Sequence, residues 1–191
     1  MKIDLAKTDR HYYDAPRDPA LRTFDAYNYV TVTGSGAPES PAYLDAVAAL
    51  YRAAYGAKKI AKSAAADFVV PKLEGQWWVE SDEPPLTVPR EQWHWKLMIR
   101  MPDPVTADMV SGASFESITE GDAIQVLHVG PYSTEPETLA RMESFMTAEG
   151  LTMNGLHHEI YLSDPRKTPA ASTKTILRHP VRRIDARPSA T

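Results

Sequence analysis

The stretch Trp93–Met101, WHWKLMIRM, sets Trp93, Trp95, Leu97, Ile99 and Met101 at every second position, with His94, Lys96, Met98 and Arg100 between them. Side chains on a strand alternate between its faces, so this run is a strand with one apolar and one mixed face. Working back, Ser81–Arg90 (SDEPPLTVPR) carries three prolines and is a loop, and Asp67–Val70 and Gln76–Glu80 read as short strands. Phe24–Thr33 (FDAYNYVTVT) is a strand rich in β-branched and aromatic residues that ends at Gly34-Ser35-Gly36. Ser40-Pro41 opens a helix, with Ser as the cap and Pro in the first helical position, where its missing N–H costs nothing. Leu44, Val47, Leu50, Tyr51, Ala54 and Tyr55 give that helix an apolar face, and Gly56 is its expected end. The first twenty-odd residues read as an arm or a short strand.

Working forward, Asp103-Pro104 predicts a second helix, by the same cap-plus-proline logic, to about Ile118. Ala123–Val129 is a strand and Gly130-Pro131 a turn. Thr134-Glu135-Pro136-Glu137 has the spacing of a capping box and opens a helix with Leu139, Met142, Phe145 and Met146 on its apolar face. Leu156–Ser163 (LHHEIYLS) and Thr175–Val181 (TILRHPV) complete the strands, and Asp185–Thr191 reads as a disordered tail. Strand, helix, strand, strand therefore occurs twice, as pseudo-repeats of about 24–101 and 122–184 within a single domain over 1–191. The expected class is α+β, an antiparallel sheet with helices on one face.

Composition narrows the function. The 191 residues are 43% hydrophobic and 24% charged, the balance of a globular chain. Lys and Arg number 21 against 25 Asp and Glu, a net charge of −4, which does not favour nucleic acid or an anionic membrane as a partner. There is no cysteine, which removes disulfides, thiolate metal sites and thiol nucleophiles and fits a cytoplasmic location. No apolar run reaches the roughly 18–20 residues of a membrane span, and the start (MKIDLAKTDR) lacks a signal-peptide core. The residues ahead of the first strand are too few for a helix-turn-helix module. No Gly-rich phosphate loop and no nucleophile elbow occur. His157 and His158 are neighbours on a strand, point to opposite faces and cannot hold one ion together. No metal and no cofactor are expected.

Two features carry chemistry. Glu159 and Tyr161 share a strand face; on a buried face the carboxyl is desolvated, its pKa rises, and it serves as a base or receives a cation. The other reading is a solvent-facing glutamate, or one paired with Arg141 or Arg178. The four Trp are confined to Trp77, Trp78, Trp93 and Trp95, where they build a local core or wall a pocket for flat or cationic ligands.

Phe68–Trp78 (FVVPKLEGQWW), His128–Tyr132 (HVGPY) and His158–Pro165 (HEIYLSDP), followed by Thr175–Val181, resemble the GyrI-like small-molecule-binding family from about Phe24 to Val181. The resemblance implies duplicated strand–helix–strand–strand units related by a pseudo-twofold axis, with a ligand cleft between the halves. The branch that this chain resembles most is associated with hydrolysis of cyclopropane-bearing, DNA-alkylating natural products. It implies Glu159 in the cleft, where it would be the general base, with the Tyr161 or Tyr132 hydroxyl or an indole N–H as donor to the ligand carbonyl. Trp77, Trp78, Trp95, Met98, Met142, His128 and Tyr27 are the further expected ligand contacts. The alternatives are a non-catalytic sponge or sensor for flat hydrophobic cations, and a gyrase-inhibitor-like interaction protein. The expected partner is a small hydrophobic or cationic ligand; oligomeric state is left open.

Overall fold

The computed structural model describes residues 2–184, so the predicted tail at Asp185–Thr191 lies outside the described residues. Two one-turn helices, α1 (Leu5–Thr8) and α2 (Arg10–Tyr13), lead into strand β1 (Ala20–Ser35) and the long helix α3 (Pro41–Ser63). Strands β2 (Leu73–Val79), β3 (Trp93–Met101) and β4 (Ser114–Val129) follow, then helix α4 (Glu135–Ala148). Strands β5 (Leu151–Met153), β6 (His157–Tyr161) and β7 (Lys174–Arg183) complete the chain. The class is α+β. Six strands run in the order β4-β1-β3-β2-β6-β7, and β4 pairs with β7 to close a barrel in which every pair is antiparallel. β5 extends the end of β7.

Alternation sorts the side chains into an outer and an inner layer. On the outside, α3 lays Leu50, Ala53, Ala54, Ala57 and Ala61 against Val30 of β1 and Trp95, Leu97 and Ile99 of β3. The small alanines let the helix approach the sheet closely. α4 covers Ile124, Val126, Leu177 and Val181 with Met142. Ser40 caps α3, its Oγ accepting from the Tyr43 amide at 3.2 Å, as the Ser-Pro signature predicts. The helix runs through Gly56 to Ser63, because Ala57 and Ala61 continue the buried stripe and outweigh the ~1 kcal/mol that an interior Gly costs.

Four other local expectations are corrected. The helix predicted from Asp103 is a turn leading into β4, since Ser114–Ile118 pairs residue by residue with Thr31–Tyr27 of β1; pairing across strands overrides the local cap signal. The strand read at Asp67–Val70 is a single bridge between Phe68 and Ile3. The amino-terminal arm is helical in α1 and α2. Thr134 makes no capping bond; its hydroxyl turns to the Pro131 carbonyl instead, so no capping box forms.

The barrel interior is polar at its centre. His158 Nε2 donates to Glu74 Oε2 and its Nδ1 to Glu120 Oε1, each at 2.8 Å. Both ring nitrogens face carboxylates, so the ring is an imidazolium. Arg178 donates to Glu120 at 2.7 Å, to Gln125 at 2.8 Å and to the Tyr12 carbonyl at 3.2 Å. The amino-terminal turns fill this end of the barrel: Tyr12 donates to Glu74, and Asp9 pairs with Arg100, whose guanidinium lies 3.7 Å from the Tyr27 ring centroid. Among the described residues, no helix is long and apolar enough to cross a membrane.

This network sets a pH window. Burial alone would lower the His158 pKa, but Glu120 and Glu74 together raise it to about 9. Burial would raise the Glu120 pKa, but His158 and Arg178 bring it down to about 2. The imidazolium's contribution, about 3 kcal/mol, is therefore complete below the unfolded pKa of about 6.5 and disappears as pH rises through 9. Glu120's contribution is complete above about 4.5 and fades as pH falls towards 2. In thermal melts across pH 5–10, the wild-type Tm should fall between pH 6.5 and 9 more steeply than that of His158→Gln. Equal slopes would refute the assignment.

Candidate functional site

β6 lies between β2 and β7, and its alternation sends His158 and Ile160 into the barrel while His157, Glu159 and Tyr161 face outward, on the side that carries α3 and α4. Glu159 is the hub of that outer face, with a side chain only 13% exposed. His157 Nε2 donates to its Oε1 at 2.8 Å and the Tyr161 hydroxyl to its Oε2 at 2.7 Å. Behind them, His157 Nδ1 meets His179 Nε2 of β7 at 2.9 Å, and the Trp77 indole N–H donates to the Tyr161 hydroxyl at 3.0 Å. The His157 ring is thus held at both nitrogens, and the Tyr161 hydroxyl both accepts and donates.

Gly75 makes this approach possible. It sits opposite Glu159 in the β2–β6 ladder, and a Cβ there would lie 2.9 Å from Trp77 Nε1 and 3.2 Å from the Tyr161 hydroxyl. Trp77 is also stacked on Tyr43, in the first turn of α3, at 5.9 Å between ring centroids. Tyr43 in turn stands edge-on to Trp95 at 5.5 Å. Trp95 itself is core, lying flat over Gly34, where any Cβ would meet its ring at 2.4 Å, with its indole N–H on the Gly36 carbonyl. Its relation to the site is through Tyr43.

From the other side, the turn before α4 brings Tyr132, whose ring is edge-on to Tyr161 at 6.1 Å and which is 44% exposed. Burial and the carboxyls of Glu135 and Glu159 push its hydroxyl pKa up to about 12. Glu135, the first residue of α4, is buried with its Oε1 unpartnered, and burial together with the charge of Glu159 pushes its pKa up.

The sequence expectation for Glu159 is half met. It is largely buried, yet its pKa is lowered. Desolvation works to raise it, but His157, through its hydrogen bond and its electrostatic attraction, and the Tyr161 hydroxyl together outweigh burial. Neither arginine considered as its partner reaches it: Arg141 pairs with Asp18 and Arg178 with Glu120.

The structure therefore brings Glu159, Tyr161, Trp77 and Tyr132 together. Five of the other expected contacts lie elsewhere. Met98 and Tyr27 point into the barrel beside Tyr12, and Trp78 shares their side of the sheet, stacked on His94 at 5.6 Å. Met142 is core beneath α4. His128 ties its strand to α4 through Thr138 Oγ1 at 2.8 Å. Sequence reasoning missed Tyr43, Glu135 and His179 as members of the site. Their common signal is that Tyr43 and Glu135 lie in the first turns of the two helices that flank β2 and β6.

A hollow of about 140 Å³ adjoins Tyr132, lined also by Pro131, Pro165, Thr168, Ala170 and Thr173. A larger one, about 390 Å³, opens on the His128 side of the same turn towards Arg17 and Arg141 and does not include Glu159. Among the described residues, no cluster of three or more His, Asp or Glu is arranged to hold a metal ion.

A closed antiparallel barrel with two outer helices and a carboxylate set among aromatic rings between them has the build of a small-molecule-binding domain. The model of the GyrI-like small molecule binding domain matches residues 17–182, and the chain belongs to that family. An uncharacterised conserved protein from Listeria innocua is 36% identical with a TM-score of 0.88, over 95% of this chain and 100% of that one. A second Listeria innocua structure, described as a hydrolase, is 35% identical with a TM-score of 0.83 over the same shares. The C-terminal domain of EcmrR, at 13% identity and a TM-score of 0.64 over 87% of this chain and 98% of that one, shares the fold. No curated protein matches the chain.

Gly75→Ala should break the Trp77–Tyr161 bond while leaving the barrel folded. In an NMR spectrum the Trp77 indole N–H, assigned with Trp77→Phe, should shift towards the solvent-exposed position. An unmoved signal would show that the close approach is not needed.

Proposed function

We propose that the Glu159 cleft binds flat hydrophobic or cationic small molecules and that the protein hydrolyses cyclopropane-bearing, DNA-alkylating compounds by adding water. The observation that carries this reading is an ionised, largely buried carboxylate beside the aromatic rings of Trp77, Tyr43, Tyr132 and Tyr161. The Listeria innocua relative described as a hydrolase, similar along nearly the whole chain, supports enzymatic activity.

In this mechanism Glu159 accepts a proton from water, a role that needs the carboxylate already ionised at neutral pH. The water oxygen bonds to the cyclopropane carbon as the ring C–C bond breaks. The electron pair moves into the dienone, which becomes aromatic and carries the charge on its oxygen. Aromatisation makes the intrinsic barrier modest, so a base of lowered pKa suffices. The Tyr161 hydroxyl is committed to Glu159, so the donor to the developing oxyanion is Tyr132, whose hydroxyl burial and the nearby carboxyls keep protonated. Trp77 and Tyr43 hold the flat body of the ligand.

The two pseudo-repeats, about 24–101 and 122–184, fit this reading as copies of one unit whose helices close the cleft from opposite sides. In support, β2 pairs with β6, so these strands in like positions of the two halves lie side by side.

A second reading, binding without chemistry, draws on the same stacked Tyr43–Trp77 pair, a suitable face for a lipophilic cation. Mass spectrometry separates the two. Incubated with a cyclopropane-bearing spirodienone, the wild type should return a compound heavier by one water, and Glu159→Gln should do so at least ~100-fold more slowly. Unchanged compound retained by the protein establishes the second reading. Equal rates for wild type and variant remove Glu159 as the base.

A further inference from the structure

A hydrogen-bonded chain of side chains crosses from β6 to β7 on the outer face of the barrel. His157 Nε2 meets Glu159 Oε1 at 2.8 Å, and His157 Nδ1 meets His179 Nε2 at 2.9 Å. The two imidazoles stand edge-on, at 82° and 5.0 Å between centroids. The chain ends at His179 Nδ1, which is buried and has no partner among the described residues. The hydrolysis as written above gives His179 no part. Its surroundings keep it neutral. Alternation places it on β7 between Leu177 and Val181, which pack beneath α4 with Met142, and it lies opposite Ile124 of β4. A second proton would have to sit on Nδ1, among apolar side chains and without an acceptor. Burial and the neighbouring His157 accordingly press its pKa down to about 3.

The hydrogens along the chain follow from donor and acceptor chemistry. An ionised carboxylate only accepts, so His157 Nε2 carries the hydrogen that faces Glu159. One hydrogen then remains for the bond between the rings. A neutral imidazole donates at one nitrogen and accepts at the other. His179 therefore donates from Nε2 when His157 Nδ1 is bare and accepts there when Nδ1 carries a proton. We propose that His179 is a positioning residue for Glu159: by holding His157 Nδ1 it keeps the Nε2–H aimed at Oε1, and so fixes the direction of the carboxylate. This rests on the reading of Glu159 as the base. Without His179, the His157 ring is free to turn about its Cβ–Cγ bond, and its hydrogen is free to move to Nδ1. Either change leaves Glu159 with the Tyr161 hydroxyl as its remaining donor on β6 and loosens its aim at the water.

His179→Phe keeps a ring of similar size but removes Nε2, and should lower kcat for water addition to the spirodienone about tenfold with little change in KM. His179→Gln, whose amide reaches the place of Nε2 and can donate or accept, should restore most of the rate. A substrate-free measurement accompanies the kinetics. Nitrogen-15 NMR of His-labelled protein, assigned with His157→Gln, should show the His157 hydrogen on Nε2 in the wild type and in His179→Gln. In His179→Phe the same ring should be a mixture of tautomers with a rapidly exchanging N–H. A merely structural His179 would change the Tm and leave that tautomer where it is. An unchanged His157 ring in His179→Phe overturns the proposal, as does a loss of kcat in folded His179→Gln as large as in His179→Phe. If the tautomer follows His179 but the wild type adds no water to the spirodienone, the hold on His157 stands and it is the hydrolase reading that fails.

Discussion

Neighbouring residues on a strand point in opposite directions, and on β6 that rule divides the molecule. His158 goes inward to bind Glu74 and Glu120, while Glu159, one residue on, goes outward to His157 and Tyr161. A slip of one residue in the β2–β6 or β6–β7 ladder would exchange them. It would bury Glu159 among Glu74 and Glu120 with no cation of its own and turn the imidazolium outward. The ion-paired interior therefore fixes the register, and through it the outward direction of the Glu159 carboxylate.

Three of the buried carboxyls, Glu120, Glu159 and Glu135, show how environment acts on protonation within one small protein. Glu120 is ionised by full cations, His158 and Arg178. Glu159 is held low chiefly by His157, through a hydrogen bond and electrostatic attraction, with the Tyr161 hydroxyl adding to it. Glu135, buried without a donor and exposed to the charge of Glu159, is pushed up. The same burial acts on all three, and partner chemistry sets the outcome.

Much of this was legible in the sequence, because it followed period and punctuation. The alternation of Trp93–Met101 gave the two faces of β3 correctly, and Ser40-Pro41 placed the start of α3. The misreadings came where tertiary pairing competes with local signals. Asp103-Pro104 looks like a helix start, but the partner that makes Ser114–Ile118 a strand is nearly ninety residues earlier in β1. The strand position of Glu159 and Tyr161 was visible. The loss of Met98 to the interior was partly visible too, since Met98 was already on the mixed face opposite Trp95. Tyr43 and Glu135 could not be found from period alone, because each belongs to the site through how its helix crosses the barrel.

The contact between the Tyr12 carbonyl and Arg178 closes a loop of 166 residues. Tyr12 and Asp9 leave the ribosome early, yet their partners Arg100 and Arg178 arrive much later, and β4 cannot meet β7 until nearly the whole chain is made. The amino-terminal turns must therefore wait, solvated, and dock late. A topology so rich in distant contacts folds slowly, and the price of its buried charges is a long interval in which Glu74, Glu120 and Arg178 are open to water and to wrong partners.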